Sequence, residues 1–214
     1  MAVTIDYSGR VALVTGGTKG VGRGIAQRFA DAGATVVVCS RRIPDDVPAD
    51  WTALPVDLRE PDQASTMIDE IVSRFGRLDF LVNNAGGAPP TDSATASASF
   101  QQKIVAVNLM AAIWCSQAAN RHMQNQSDGG AIVNIGSVSA ERPAPTVAAD
   151  GAAKAGLANY TRTIGQEWLP KVRANLVTVG MVRTEQAHQH YGDEEGVQRV
   201  GSQVPIGRLA WPAE

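Results

Sequence analysis

Cysteine is nearly absent from this chain, with Cys39 and Cys115 its only two. That excludes a disulfide framework. One thiol in an apolar run and one in a helical pattern read as buried thiols in a reducing compartment. Long apolar runs are also missing: Val11–Val14 and Thr35–Cys39 are strand-sized, far short of a bilayer span. The N-terminus lacks the charged-then-apolar layout of a secretory signal, so the expectation is a cytoplasmic protein with no membrane partner. Charge of one sign is not in excess either. The 19 Lys and Arg nearly balance 21 Asp and Glu, and no basic run lies on an aromatic background, which argues against a nucleic-acid partner. No cluster of Cys, His and carboxylates has metal-ligand spacing, and no repeat of solenoid period occurs.

What is present is a chain of 214 residues, 44% of them hydrophobic, enough for one core in a single domain over residues 1–214. Apolar runs alternate with segments of helical period, the pattern of βαβ units around a mostly parallel sheet. Strands are expected at Val11–Thr15, Thr35–Cys39, Thr52–Val56, Leu78–Val82, within Gly129–Ser137, and at Val172–Val179. Helices are expected at Val21–Ala32, Asp62–Phe75, about Phe100–Met123 and about Asp150–Trp168, with Gly33 ending the first. Gly86–Ser99 is rich in Ala, Ser, Thr and Pro and reads as a loop with room for a short helix. In such a sheet, ligands lie at the carboxyl ends of the strands where strand order reverses.

The turn after the first strand, TGGTKGVG, places Gly16, Gly20 and Gly22 between a strand and a helix. Backbone N–H groups there can face a pyrophosphate, and glycine avoids a Cβ that would block the approach. An ordinary glycine-rich turn is the plainer alternative for this motif alone. It is followed in order by Asp57, by Asn83-Asn84-Ala85-Gly86, and by Asn108, Ser137, Lys154 and VGMVRT at Val179–Thr184. This ordered set, spanning essentially the whole chain, resembles the short-chain dehydrogenase/reductase family. The resemblance implies a Rossmann-like doubly wound sheet of order 3-2-1-4-5-6 with helices on both faces, and a nicotinamide cofactor.

By that resemblance the cofactor site comprises Gly16, Thr18, Lys19, Gly20, Val21 and Gly22 in the turn. Ser40, Arg41 and Arg42 follow strand two. Asp57 and Leu58 lie beside the adenine, Asn84, Ala85 and Gly86 along the ribose, and Gly180, Val182 and Thr184 beside the nicotinamide and phosphates, with Lys154 on the nicotinamide ribose. An acidic residue at the end of strand two favours NAD, because its carboxylate accepts ribose hydroxyls and repels a 2′-phosphate. Here Ser40 holds that place, with Arg41, Arg42 and Lys19 nearby, so NADP(H) is expected, with NAD the alternative. These cations read otherwise as a solvated surface. Val179 stands where the family usually has proline, which implies a freer loop.

The implied chemistry is hydride transfer between the nicotinamide and a carbonyl or alcohol carbon. Ser137, Lys154 and Asn108 match three of the four catalytic positions. The fourth, a tyrosine in the family, is Asp150. Two consequences follow. An aspartate is about 3 Å shorter than a tyrosine and should not reach a carbonyl at Ser137 without a water between. A carboxyl of ordinary acidity is also ionised at neutral pH, a poor proton donor. The simplest structural role for Asp150 is an i,i+4 pair with Lys154 at a helix start. The leading expectation is therefore a ketone/secondary-alcohol oxidoreductase impaired at Asp150. The alternative is an inactive cofactor-binding protein with a regulatory or structural role. Tyr160 lies too far up the helix to substitute and reads as packing.

Residues 183–204 are polar, contain His188, His190 and Tyr191, and occupy the place of the family's substrate lid. The histidines read as lid surface, and Tyr191 as a remote candidate proton donor. The chain stops at GRLAWPAE, where relatives normally add a helix and a final strand. Loss of that strand is expected to leave an apolar edge. The helices near 100–123 and 150–168 remain, and by resemblance these join two copies into a homodimer.

Overall fold

A computed structural model describes residues 4–214. Six parallel strands form one sheet in the order β3-β2-β1-β4-β5-β6. They are β1 (Val11–Thr15), β2 (Thr35–Ser40), β3 (Thr52–Pro55), β4 (Phe80–Asn83), β5 (Gly130–Ser137) and β6 (Val172–Val179). Order reverses between β1 and β4, whose pairing runs from Ala12 with Phe80 to Val14 with Val82. The expected doubly wound sheet is therefore the one observed, with β6 at its edge.

Side-chain alternation along the strands divides the core between the two faces. Val11 and Leu13 of β1, with Val37 and Cys39 of β2, meet α2 (Pro61–Phe75) and α4 (Ala111–Met123) through Met67, Ile68, Cys115 and Met123. Val14, Val36 and Val38 face the other way and meet α1 (Gly20–Asp31) at Ala26. Both thiols are fully buried, and burial pushes Cys39 up to about 12 and Cys115 higher still. A buried polar ladder ties α4 and α5 (Ala148–Glu167) to the sheet. Asn83 Nδ2 donates to Ser116 Oγ and Asn134 Oδ1, and Asn134 Nδ2 donates to Thr161 Oγ1 at 2.8 Å.

The long helix expected over 100–123 is broken. It starts as α3 (Ala98–Val105), capped by Ser97 accepting from Phe100 N, and passes through a π-turn at Ala106–Met110 before α4 resumes. β4 begins at Phe80 rather than Leu78, and just before it Asp79 N–H donates to Val11 O while its carboxylate accepts from Val11 N.

Asp79 is 4% exposed and accepts from Val11 N at 2.9 Å and from Arg77 and Arg10. Burial alone would raise its pKa, but those donors hold it below the ordinary carboxylate value. A carboxylate with a lowered folded-state pKa adds stability above its unfolded pKa, and that contribution is lost as pH falls through the folded value. Asp79→Asn is expected to lose about 1–3 kcal/mol at neutral pH. The loss shrinks as pH falls below the ordinary carboxylate value, read by urea unfolding at pH 7 and about pH 2.5. A pH-independent loss would remove the carboxylate's part.

Candidate active site

The carboxyl ends of β1, β2 and β4 open into a cleft of about 590 Å³. Gly16, Lys19, Gly20, Val21 and Gly22 line its floor, with Ser40, Arg41, Asp57, Leu58, Asn84, Ala85, Gly86 and Thr184 around them. The cleft thus gathers most of the residues expected for the cofactor. Others lie off its lining. Thr18 is buried within the turn. Arg42 is exposed and receives the Ser40 hydroxyl on its carbonyl oxygen at 2.5 Å. Gly180 is exposed, and Val182 forms a lone bridge with Ala210.

The turn suits an anion for reasons visible in its backbone. Gly16 and Gly20 have φ of +63° and +55°, angles that L side chains rarely adopt. Lys19 caps α1 without a side-chain hydrogen bond, and no acidic residue stands in the first turn, so the amide end of the helix carries no competing carboxylate. Asn84 clasps the strand ends together: its Nδ2 donates to Thr15 O at 2.9 Å, while Thr15 Oγ1 accepts from the backbone N–H of Asn84 and Ala85. These features fit a dinucleotide's pyrophosphate.

Sequence reasoning missed several lining residues. Arg59 pairs with Asp57, its Nε donating to Oδ1 at 2.9 Å, and that hydrogen bond holds the Asp57 carboxyl below its ordinary range. Arg59 follows Asp57 by two residues, so a charge count around Asp57 offered a signal. His190, expected at the surface of residues 183–204, lines the cleft as well. Lys103, Ile104 and Val107 enter from α3 and the π-turn, and Gln189 from beside His190, and nothing in their spacing marked these four.

Asn108 sits on the π-turn, 1% exposed. Its Oδ1 accepts from Gly87 N at 2.7 Å and its Nδ2 donates to Gly87 O, pinning the Gly86–Gly87 segment to the helix. A Cβ on Gly86 would lie 2.5 Å from Asn108 Oδ1. Lys154 is 7% exposed on α5, and its Nζ donates to Ile135 O at 2.8 Å. Burial lowers its pKa, against a raising effect from the charge of Asp150. The i,i+4 ion pair expected between these two does not form: the lysine turns inward to a β5 carbonyl, and Asp150 turns to another partner. That partner is Ser139, on a 3₁₀ turn (Val138–Ala140) directly after β5. Ser139 Oγ lies 3.0 Å from Asp150 Oδ2 and 2.9 Å from Ser137 Oγ.

Asp150 also lines a second cavity of about 310 Å³, walled by Phe100, Ile104, Val147 and Ala149 and sharing Ala88 and Pro89 with the cleft. Residues 183–204 carry two short helices, α6 (His188–Tyr191) and α7 (Glu194–Gly201). Tyr191 packs against an apolar cluster of Ala187, Val197 and Leu209, and burial raises its pKa. It lines neither cavity, which removes the geometric basis for a lid proton donor. Tyr160 stacks edge-on against Trp168, ring centroids 6.4 Å apart, in the packing role expected of it.

Comparison with known proteins agrees with this geometry. Residues 10–195 match the short chain dehydrogenase family. A Bacillus subtilis protein named "Probable 2,4-dienoyl-CoA reductase" is 32% identical over 96% of this chain and 85% of its own length. The 2-dehydro-3-deoxy-D-gluconate 5-dehydrogenase of Escherichia coli is 31% identical over 98% and 86%. A solved structure of an ElxO variant with NADPH bound superposes with a TM-score of 0.86 at 26% identity, over 95% of this chain and 87% of that one.

Proposed function

The chain belongs to the short-chain dehydrogenase family, and from that premise we propose that it is an NADP(H)-dependent oxidoreductase interconverting a ketone and a secondary alcohol, slowed at the proton-transfer step by Asp150. The observation that carries the reading is the glycine turn between β1 and α1 opening into a cleft that also holds Ser40, Arg41 and Lys19. At the end of β2 there is a hydroxyl where a carboxylate would oppose a 2′-phosphate. Arg59 adds a further cation and engages the nearby Asp57 carboxylate. The relatives act on different substrates by name, so none supplies the substrate here.

In this reading the turn residues and the amides of α1 hold the pyrophosphate, Arg41 and Lys19 the 2′-phosphate, and Asn84–Gly86 the ribose on the nicotinamide side. Bound nicotinamide supplies hydride exchange with the substrate carbon. Ser137 holds the substrate oxygen, and Asp150 stands where the family's tyrosine moves the proton. Lys154 and Asn108 keep the floor of the site in place, through Ile135 O and Gly87. A cofactor-binding protein without turnover is the second reading. Lys154 favours it, since its Nζ is bonded to a strand carbonyl instead of Asp150.

Titration with NADPH and NADH tests the cofactor. NADPH should bind more tightly, and Arg41→Ser should weaken NADPH about tenfold while leaving NADH unchanged, the effect of one charge-assisted contact. Clear preference for NADH would reject the assignment. We also propose a homodimer through α4 and α5. On α5, Ala148, Ala152, Ala155 and Asn159 form an exposed face at helical spacing, flat enough for a second copy to approach closely. Sedimentation should give twice the chain mass; a stable monomer would contradict it.

A further inference from the structure

The cavity beside Asp150 has walls of one chemical kind. Phe100 and Ile104 enter it from α3, and Val147 from the residue before α5, so much of its surface is hydrocarbon. Thr91, Thr146 and Gln101 add neutral hydroxyl and amide groups. Among the described residues, no lysine, arginine or histidine lines it. Its one ionisable group is the Asp150 carboxyl, which can be negative or neutral but never positive. Nearby cations are directed elsewhere: Lys154 Nζ donates to Ile135 O, and Lys103 lines the cofactor cleft. The adjoining helix starts offer an anion little more. At α3 the Ser97 hydroxyl accepts from Phe100 N, and α5 carries Asp150 in its own first turn.

The width of the cavity is braced by backbone. Thr91 N donates to Thr146 O at 2.8 Å, joining one wall to the other. Thr146 has φ of +69°, and among the described residues no other non-glycine residue has a positive φ. A β-branched residue keeps that conformation only where its surroundings force it. The volume of about 310 Å³ is at the small end of ligand pockets, which run to roughly 1,000 Å³.

We propose that this cavity takes the body of the substrate, and that the substrate is a small, largely hydrocarbon ketone or secondary alcohol whose body bears no carboxylate, phosphate or other anion. The proposal deepens the oxidoreductase reading and rests on it. Cavity and cleft meet at Ala88, Pro89 and Ile104, so a molecule seated between α3 and α5 can turn its reacting carbon toward the cleft. An anion carried inside would lose its water and find no cation, a burial that goes uncompensated. A hydrocarbon body gains from the same burial.

Two ketones of matched shape test this on the full chain loaded with NADP⁺, which cannot reduce them: 4-oxocyclohexanecarboxylate and its methyl ester. The ester should bind at least about tenfold more tightly. Ala149→Trp fills the cavity and should abolish ester binding while NADPH affinity holds. Gln101→Arg sets a cation on the wall from an exposed helix position. It should tighten the carboxylate about tenfold, the scale of one charge-assisted hydrogen bond, and leave the ester little changed. Equal binding of the two ketones, a carboxylate preference or no ester binding would overturn the proposal. So would a carboxylate indifferent to Gln101→Arg, or an ester that still binds a folded Ala149→Trp protein; if that variant does not fold, Gln101→Arg decides alone. If neither cofactor binds, the oxidoreductase reading falls by itself, and the same titrations on the cofactor-free chain decide the cavity.

Discussion

Asp150→Tyr should interconvert a ketone and a secondary alcohol about 10²–10⁴-fold faster than the unaltered chain, with NADPH affinity changed little, because that range is what a positioned acid–base group supplies. The reason is reach. Asp150 stands on the first turn of α5 and contacts Ser139, which in turn contacts Ser137. A phenol extends about 3 Å further and places its oxygen beside the substrate oxygen without an intermediary. Room for the ring exists in the cavity of about 310 Å³ that Asp150 already lines. Below it, Lys154 is fixed to Ile135 O, so a new phenol meets an ordered cation. The measurement is turnover across a panel of alcohols and ketones, with NADPH titration on the same preparations to show that the site is intact. Equal turnover in the two proteins would remove Asp150 from the proton-transfer position.

The contrast between β1–α1 and the Asp150 neighbourhood explains what could be read in the sequence. Strands such as Val11–Thr15 and Val172–Val179 occur at the expected bounds, because buried parallel strands are continuous apolar runs and their turns carry glycine. The turn residues gather in the cleft because strand, glycine and helix are adjacent in the chain. Where the site depends on distant contacts, local pattern is silent. Nothing near Ser139 marks it; its place follows from a 3₁₀ turn packed on α5 through Gly151. Spacing allowed Lys154 and Asp150 to pair, yet the β5 carbonyl at Ile135 takes the lysine instead. Apolar period suggested one helix over 100–123 and could not foresee the π-turn, which adds a residue to the helical repeat where Asn108 grips Gly87. Tyr191 lies in a polar stretch of sequence, yet the apolar cluster of Ala187, Val197 and Leu209 takes its ring.

Gly22→Ala should strike both the fold and the cofactor site. A Cβ at this position of α1 would lie 2.5 Å from Gly16 O and closer still to Asn84 Nδ2. The first neighbour is backbone of the turn. The second is the amide that donates to Thr15 O and Gly16 O and so joins the ends of β1 and β4. Neither can move without opening the floor of the cleft, since Thr15 also holds the backbone N–H groups of Asn84 and Ala85. Overpacking of this kind costs about 1–3 kcal/mol of stability. The displaced amides should weaken NADPH binding by about 10²-fold, the scale of losing two or more charge-assisted hydrogen bonds. Circular dichroism and urea unfolding report whether the fold survives, and NADPH titration at a temperature where it does reports the site. A folded Gly22→Ala protein that binds NADPH normally would show that the phosphates rest elsewhere, and the assignment of the glycine turn would fall with it.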